Sequence, residues 1–199
     1  MNQYFNNNQS LERIVKFINY EFREDRFRFG VTSGIFSKDH VDFATDILLN
    51  TVPTLKAGGT LLDMGCGYGV IGIVLAKTYS LKLTQVDVNQ AALELAKTNA
   101  KLNDVETLVL ESDCFSGISG DSKYDTIVIN PPIHAGKSVT YKMYEESALH
   151  LNSGGRLYIV TFKKHGAQST LEKLNEVFGS RVETLYKKKG VYVFECTSS

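Results

Sequence analysis

From residue 60 onward, short apolar runs alternate with amphipathic helical patterns, and this alternation limits the possible folds more than any other feature of the chain. The apolar runs are TLLDMG, LKLTQVDV, ETLVLESD, YDTIVI and RLYIVTFKK. Repeated strand–helix–strand units of this kind build a parallel sheet that is covered by helices on both faces. The pattern therefore predicts one α/β domain with its core over residues 33–199.

The helical patterns fall between and after these runs. They predict helices over DFATDILLNTV and over about Val70 to Tyr79, Gln90 to Asn103 (capped by Asn89), Ser138 to Leu151 and Ser169 to Phe178. The closing segments RVETLYKK and GVYVFEC are predicted to form a hairpin around Gly190. Near the N-terminus, FINYEFREDRFRFGV alternates apolar and polar residues about a charged turn. Residues 1–32 are therefore predicted to form a half-exposed hairpin added to the core.

The composition excludes several classes of protein. With 199 residues, of which 43% are hydrophobic, the chain can bury a core without disulfides. Its three cysteines are widely spaced and its four histidines show no ligand spacing, which argues against a disulfide framework and against a metal site. The polar segment MNQYFNNNQS predicts neither a signal peptide nor an anchor, so we expect a cytoplasmic protein. A formal net charge of zero excludes a broadly basic surface but allows local basic patches.

The turn after the first core strand reads DMGCGYGVIG, in which Gly67, Gly69 and Gly72 satisfy the pattern GxGxxG. Glycines let the backbone approach a ligand closely, and the following helix N-terminus offers free amides. Asp87 ends the second strand 20 residues after Gly67, where an acid in nucleotide-binding folds accepts hydrogen bonds from ribose hydroxyls. These features predict a nucleoside cofactor, either a nicotinamide dinucleotide or S-adenosylmethionine. Cys66 has no recognisable base near it and is interpreted as a packing residue.

Aspartates at the strand ends separate these two cofactors. Asp63 precedes the glycines, and a carboxylate facing the ligand there repels a pyrophosphate and attracts a cation. S-adenosylmethionine carries a sulfonium and an ammonium and has no phosphates, so it is favoured. Asp113 ends the third strand and is predicted to accept a hydrogen bond from the adenine amino group, with Cys114 and Phe115 near the ring. A simple turn aspartate is the alternative.

The segment NPPI ends the apolar run YDTIVI with a rigid polar stop. Pro131 and Pro132 have no amide hydrogen, so the strand ends at Asn130. Ligands of an open parallel sheet lie beyond the carboxyl ends of its strands, which places Asn130 in one crevice with the aspartates. The Asn130 side-chain oxygen and the Pro131 carbonyl can then accept both hydrogens of a planar amine and aim its lone pair at a methyl donor. The segment thus predicts an N-methyltransferase, against the alternative of a plain Asn-Pro turn.

The motifs DMGCGYG, VDVN, ESD and NPPI, in this order and spacing, resemble the class I S-adenosylmethionine-dependent methyltransferases, and specifically the methyltransferase small family. The segments GIFSKDHVDFATDILL, NPPIHAGK and HLNSGG are also similar to that family. The resemblance implies a Rossmann-like, seven-stranded, mostly parallel sheet with a reversed last strand. It implies a catalytic set of Asn130, Pro131, Pro132 and Ile133. It further implies cofactor contacts from Phe36, Asp63, Gly65, Cys66, Gly67, Gly69, Asp87, Val88, Asp113, Cys114 and Asn130.

The same resemblance implies an RNA partner, with the exocyclic N2 of a guanine in small-subunit ribosomal RNA as the target. Related enzymes carry an aromatic residue after NPP, whereas this chain has Ile133, so a stacking platform is sought among Phe36, Tyr141 and Phe162. Basic residues that can contact the RNA backbone, or form a solvated basic edge, are Lys137, Lys163, Lys164 and Lys187 to Lys189. The alternatives are a protein glutamine amide as the target and a noncatalytic cofactor-binding module.

Overall fold

The computed structural model describes residues 14–32, 40–132 and 136–199. Its strands are β1 (Ile14–Phe22), β2 (Asp25–Thr32), β3 (Thr60–Met64), β4 (Lys82–Asp87), β5 (Thr107–Glu111), β6 (Tyr124–Ile129), β7 (Leu151–Phe162), β8 (Val182–Lys188) and β9 (Val191–Thr197). Its helices are α1 (Phe43–Thr51), α2 (Val70–Tyr79), α3 (Gln90–Leu102), α4 (Gly136–His150) and α5 (Ala167–Phe178), with a 3₁₀ turn at Lys163–His165. Two predicted site residues, Phe36 and Ile133, lie outside the described residues.

Seven strands form one sheet in the order β5-β4-β3-β6-β7-β9-β8. Strands β3 to β7 pair in parallel, and β9 is antiparallel to both of its neighbours, β7 and β8. The prediction of a mostly parallel sheet with a reversed last strand is confirmed. After β5 the chain crosses back to β6, so the strand order reverses between β3 and β6. Ligands of such sheets bind beyond the carboxyl ends of the strands at this switch point.

The two strands at the switch point are buried on both faces. Leu61 and Leu62 in β3 are 0% exposed, as are Ile127 and Val128 in β6. One apolar cluster packs α1, α2 and the N-terminal hairpin on one face of the sheet, and a second cluster packs α4 and α5 on the other. Burying a large aliphatic side chain contributes about 1.5–3 kcal/mol, which makes this central pair of strands a firm base for the residues at its end.

The predicted N-terminal hairpin is confirmed as a separate two-stranded sheet, and its buried face is part of the core of the domain. The antiparallel pairing of β1 with β2 was predicted correctly. Phe29 and Val31 are 0% exposed, and Phe29 meets the ring of Tyr68 edge-on, with 6.1 Å between the ring centroids. An alternating pattern shows that one face of a hairpin is buried, but it does not show what covers that face.

Two asparagines, Asn99 in the last turn of α3 and Asn103 at its C-cap, join the hairpin to the rest of the molecule. The side-chain amide of Asn103 exchanges hydrogen bonds with the backbone N–H and carbonyl of Arg28, at 2.9 Å each. One turn earlier, Asn99 accepts from the Gly30 N–H at 2.7 Å and donates to the Gly30 carbonyl at 3.1 Å. Asn99 also donates to the Tyr68 carbonyl at 2.9 Å. These amides therefore continue the hydrogen bonding of β2 and connect the hairpin to the turn between β3 and α2.

The predicted helix boundaries hold to within one or two residues, and the largest difference is at the start of β7. This strand begins at Leu151, whereas the apolar run RLYIVTFKK predicted its start at Arg156. Leu151 already pairs with Tyr124, and the register shifts before Arg156 pairs with Thr126. None of the helices in the described ranges is long and apolar enough to cross a membrane.

Candidate functional site

The turn between β3 and α2 carries the glycine motif. Gly65, Gly67 and Gly69 have φ angles of 71°, 54° and 92°, which only glycine adopts without strain. A Cβ at Gly69 would lie 2.9 Å from the Gln85 amide nitrogen, whereas a Cβ at Gly65 would meet no atom within 4 Å. The N-cap residue of α2 is Gly69, which has no side chain to cap the helix. The turn therefore places the N-terminus of α2 next to open space at the end of β3.

Asp87 holds this turn from the end of β4. Its Oδ2 accepts a hydrogen bond from the Gly67 N–H at 2.9 Å, and its Oδ1 accepts from the Asn89 N–H at 2.9 Å. Each carboxylate oxygen can accept a second hydrogen bond, and the side chain is only half-buried. The neighbouring Val88 is 64% exposed. The end of β4 thus offers an acceptor for hydroxyl groups next to an apolar surface.

Asp63 lies beneath the glycine turn, contrary to the expectation that its carboxylate faces the ligand. The residue is 1% exposed, and its Oδ2 accepts from the Gly72 N–H at 2.8 Å. Burial raises the pKa of Asp63 to about 7, against the opposing effect of hydrogen bonds from Gly72 and Gln85. A Cβ at Gly72 would lie 2.8 Å from this carboxylate. The glycine at position 72 therefore makes room for Asp63, which braces the first turn of α2.

The residues after β5 divide between the surface and the core. Asp113 is exposed, as a contact with a ligand requires. Phe115 is 5% exposed, and its ring stacks on His150 with 4.4 Å between the ring centroids. The expectation that Phe115 lies near an adenine ring is therefore wrong, because this ring packs against the end of α4.

The two cysteines of the predicted cofactor set are buried thiols. Cys66 is 9% exposed and Cys114 is 2% exposed. Burial raises the pKa of Cys66, and it raises the pKa of Cys114 to about 11. Both thiols therefore stay protonated at neutral pH, which supports the interpretation of Cys66 as a packing residue rather than a nucleophile.

Asn130 follows β6 and contacts α1. Its Nδ2 donates a hydrogen bond to the Thr45 hydroxyl at 3.0 Å. The Thr45 hydroxyl in turn donates to Asp42 Oδ2. Asp42 is the N-cap of α1, and its Oδ1 accepts from the backbone N–H groups of Ala44 and Thr45. The side-chain nitrogen of Asn130 is thus turned towards α1, which leaves its oxygen on the opposite side of the amide.

A cavity of about 930 Å³ opens beside Asn130, and Pro131 and Pro132 also line it. Aromatic side chains form part of its wall, namely Phe43, Tyr68, Tyr144 and Phe162. Phe43 is 48% exposed, so its ring is available to a ligand. Of the stacking platforms predicted from the sequence, Phe162 lines the cavity. The hydroxyl of Tyr141 instead donates to the Ser169 carbonyl at 3.3 Å, and Tyr141 is not among the lining residues.

Basic side chains line the same cavity, namely Lys137, Lys164 and His165. Lys163 is not among the lining residues, but its backbone N–H donates to the Gly190 carbonyl at 2.8 Å. This contact brings the turn between β8 and β9, with the exposed run Lys187 to Lys189, next to the end of β7. Of the predicted basic residues, Lys137 and Lys164 therefore line the cavity, whereas Lys163 and Lys187 to Lys189 are not among its lining residues.

Three residues at the site were not predicted from the sequence, namely Asp42, Phe43 and Thr45. DFAT shows a good N-cap ahead of a helix, so the start of α1 was predictable. Its position beside NPPI was not, because nothing in the local pattern links Thr45 to a residue 85 positions away. Among the described residues, no group of three or more histidine, cysteine or acidic side chains is arranged to hold a metal ion.

Comparisons with known proteins identify the family. The family model of the methyltransferase small domain matches residues 26–195. An uncharacterized protein of Bacillus subtilis, YbxB, is 38% identical over 194 residues, which are 96% of this chain and 96% of that protein. Ribosomal RNA small subunit methyltransferase C of Haemophilus influenzae is 40% identical over 132 residues, 64% of this chain and 39% of the relative.

A solved structure shows the same fold. The T. thermophilus 16S rRNA N2 G1207 methyltransferase, in complex with AdoMet and guanosine, superimposes with a TM-score of 0.83 and 24% identity over 92% of this chain and 50% of that one. This chain therefore spans about half of that enzyme and, as stated above, 39% of the Haemophilus relative. Together with the glycine turn and the sheet order, the match to the family model shows that the chain belongs to the methyltransferase small domain family of class I S-adenosylmethionine-dependent methyltransferases.

Proposed function

We propose that this chain methylates the exocyclic N2 of a guanine in small-subunit ribosomal RNA. The observation that carries the proposal is the orientation of Asn130 at the switch point of the sheet. Its nitrogen is bound to Thr45, so its oxygen is available to a substrate amine next to a cavity of about 930 Å³. A second acceptor, the Pro131 carbonyl, comes next in the chain.

The glycine turn and the end of β4 suit S-adenosylmethionine. The space beside Gly65 admits a ligand close to the backbone, and Asp87 can accept hydrogen bonds from the two ribose hydroxyls. The exposed Val88 offers an apolar surface to the adenine, and Asp113 offers an acceptor to its amino group. When bound, the cofactor supplies a methyl group on a positively charged sulfur.

Asn130 and Pro131 are proposed to prepare the target nitrogen for this transfer. The lone pair of an aromatic amine is delocalised into its ring, and two acceptors that hold the amine hydrogens can direct the lone pair towards the methyl group. The nitrogen lone pair then forms the new C–N bond while the C–S bond breaks and its electrons stay on sulfur. One N–H proton is afterwards released to water. The two prolines stiffen the backbone, so little conformational entropy is lost when the target binds.

The cavity supports RNA as the substrate. A nucleobase can stack on Phe43 or Phe162, and aromatic stacking contributes about 1–3 kcal/mol for each base. Lys137 and Lys164 line the same space and can pair with phosphate groups. The Haemophilus and Thermus relatives are methyltransferases of small-subunit ribosomal RNA, and the Thermus enzyme is specific for the N2 of a guanine.

The test is methyl transfer from tritiated S-adenosylmethionine to small ribosomal subunits purified from a strain that lacks this protein. Subunits from the parent strain are the control, because their target is already modified. We expect label only in the RNA of the subunits from the strain that lacks this protein, called the deficient subunits below. Mass spectrometry of the digested RNA should show N2-methylguanosine. Label in the protein fraction, at a glutamine amide, would replace this proposal with the protein substrate. Tight cofactor binding without label in RNA or protein would indicate a noncatalytic module.

A further inference from the structure

Hydrogen bonds among three side chains connect the N-terminus of α1 to Asn130. The Asp42 carboxylate accepts a hydrogen bond from the Thr45 hydroxyl, which accepts one from Asn130 Nδ2 at 3.0 Å. Thr45 is 4% exposed, so water has little access to its hydroxyl group. Asp42 is itself held by the backbone N–H groups of Ala44 and Thr45, at 3.0 and 3.1 Å. The positions of Asp42 and Thr45 are therefore fixed by the fold of α1.

The direction of these hydrogen bonds is determined by chemistry. A carboxylate only accepts hydrogen bonds, and a threonine hydroxyl has a single hydrogen to donate. Because that hydrogen is given to Asp42, the Thr45 oxygen can only accept from Asn130. Of the two ends of the Asn130 amide, only the nitrogen can make this contact. With the amide turned over, two oxygen atoms would face each other without a hydrogen between them.

We infer that Thr45, backed by Asp42, is a positioning residue that fixes which end of the Asn130 amide faces the substrate. This inference rests on the proposed N-methyltransferase function, in which the Asn130 oxygen accepts from the target amine. An asparagine that turned over would present its NH2 group to the NH2 group of the substrate, and two donors do not bind one another. Thr45 therefore selects the productive orientation without contacting the substrate.

Replacement of Thr45 tests the first link. Thr45→Val keeps the shape of the side chain and removes the hydroxyl, whereas Thr45→Ser keeps the hydroxyl. We expect kcat for methylation of the deficient small subunits to fall at least tenfold in Thr45→Val, since misplacement of a reacting group lowers rates by such factors. KM and the Kd of the cofactor should change little, and Thr45→Ser should restore most of kcat. Thr51→Val removes a hydroxyl that bonds only within α1, to the Ile47 carbonyl, and serves as the matched control.

Replacement of Asp42 tests the direction of the hydrogen bonds that join Asp42, Thr45 and Asn130. In Asp42→Asn the side-chain oxygen can still cap α1, and asparagine is as good an N-cap as aspartate. Its NH2 group would donate to Thr45, which frees the Thr45 hydrogen to donate to the Asn130 oxygen and turns the amide over. We expect kcat to fall at least tenfold with a Tm close to that of the unmodified chain. A purely structural role of Asp42 predicts that activity follows Tm, so wild-type kcat in Asp42→Asn and in Thr45→Val would overturn the inference.

A measurement without substrate separates this inference from the proposed function. In the cofactor-bound protein, NMR should show a nuclear Overhauser effect between the Asn130 side-chain NH2 and the Thr45 methyl group. The effect should persist in Thr51→Val and weaken in Asp42→Asn. Its absence from the unmodified chain would overturn the positioning role. If the effect is present but the deficient subunits accept no label, the proposed substrate fails and the orientation of Asn130 stands.

Discussion

The Asp87 carboxylate and the Gly67 amide are joined by a hydrogen bond of 2.9 Å, which ties the end of β4 to the glycine turn. The same carboxylate is predicted to bind the ribose hydroxyls of the cofactor. Loss of Asp87 should therefore loosen the turn and remove an acceptor together. Both the loosened turn and the lost acceptor should weaken the binding of the cofactor.

We expect Asp87→Ala to weaken S-adenosylmethionine binding at least tenfold, because a hydrogen bond to a charged group contributes about 1.5–3 kcal/mol. Isothermal titration calorimetry measures this change. Asp121→Ala, at an exposed position in the loop before β6, is the control and should bind the cofactor like the unmodified chain. Equal Kd values for the two variants would exclude Asp87 from the cofactor site.

Asn130→Ala should abolish methyl transfer and leave cofactor binding nearly intact. The change removes one of two acceptors for the target amine, and the loss of one such preorganised polar group lowers kcat about 10²–10³-fold in other enzymes. Single-turnover assays on the deficient small subunits give the rate, and calorimetry gives the Kd. Turnover equal to that of the unmodified chain would contradict the assignment of Asn130 as a catalytic residue.

Asn99→Ala should destabilise the fold and loosen the glycine turn, because Asn99 satisfies backbone groups of Gly30 and Tyr68 in the interior. A buried polar group left without a partner costs about 1–3 kcal/mol, so we expect a loss of roughly 2–4 kcal/mol in the free energy of unfolding. Urea unfolding measures the loss. Asn175→Ala, an exposed asparagine on α5, is the control and should stay within about 0.5 kcal/mol of the unmodified chain.

The sheet and the positions of the residues that end its strands could be predicted from the sequence for a simple physical reason. In a parallel sheet the carboxyl ends of all strands lie at one edge, so a residue that ends a strand is placed in the crevice without knowledge of the strand order. Asp87, Asp113 and Asn130 were located in this way. The spacing of Gly67 and Asp87 also predicted their neighbourhood, which the structure shows as a direct hydrogen bond.

Side-chain directions and distant pairs could not be predicted in this way. Asp63 and Phe115 are correctly placed near strand ends, but one points beneath the glycine turn and the other packs on His150. A strand end fixes the position of the backbone and leaves the choice of side-chain direction to packing. The contact of Thr45 with Asn130 depends on how α1 lies across the sheet, and no local pattern contains that information.

The pKa of Asp63, raised by burial to about 7, predicts a specific effect of pH on stability. In the unfolded chain this carboxyl titrates near 3.8. Below that pH it is neutral in both states and does not disfavour folding. As the pH rises from about 4 to about 7, the unfolded chain loses the proton more readily than the folded protein, so the free energy of unfolding decreases. Above about pH 7 the carboxyl is ionised in both states, and the stabilisation that the protonated Asp63 gives to the folded protein is fully lost.

Asp63→Asn cannot ionise and keeps an oxygen that can accept from the Gly72 N–H. We therefore expect its stability, relative to the unmodified chain, to improve between pH 5 and pH 8. Urea midpoints at the two pH values measure the difference, and Asp121→Asn should show no such relative change. A parallel decline in both the unmodified chain and Asp63→Asn would show that Asp63 is already ionised at pH 5 in the folded protein.

Lys164 should contribute to RNA affinity through charge alone, because it lines the cavity and its ammonium group can pair with a phosphate. Each phosphate contact releases counterions, so the loss of one contact reduces the slope of log K against log salt concentration by about 1. We expect Lys164→Ala to bind small-subunit RNA more weakly at low salt and with a shallower slope in filter-binding assays. Lys82→Ala is the matched control. Lys82 is exposed at the start of β4, at the end of the parallel strands opposite their carboxyl ends. Equal slopes for both variants would place the RNA backbone away from this side of the cavity.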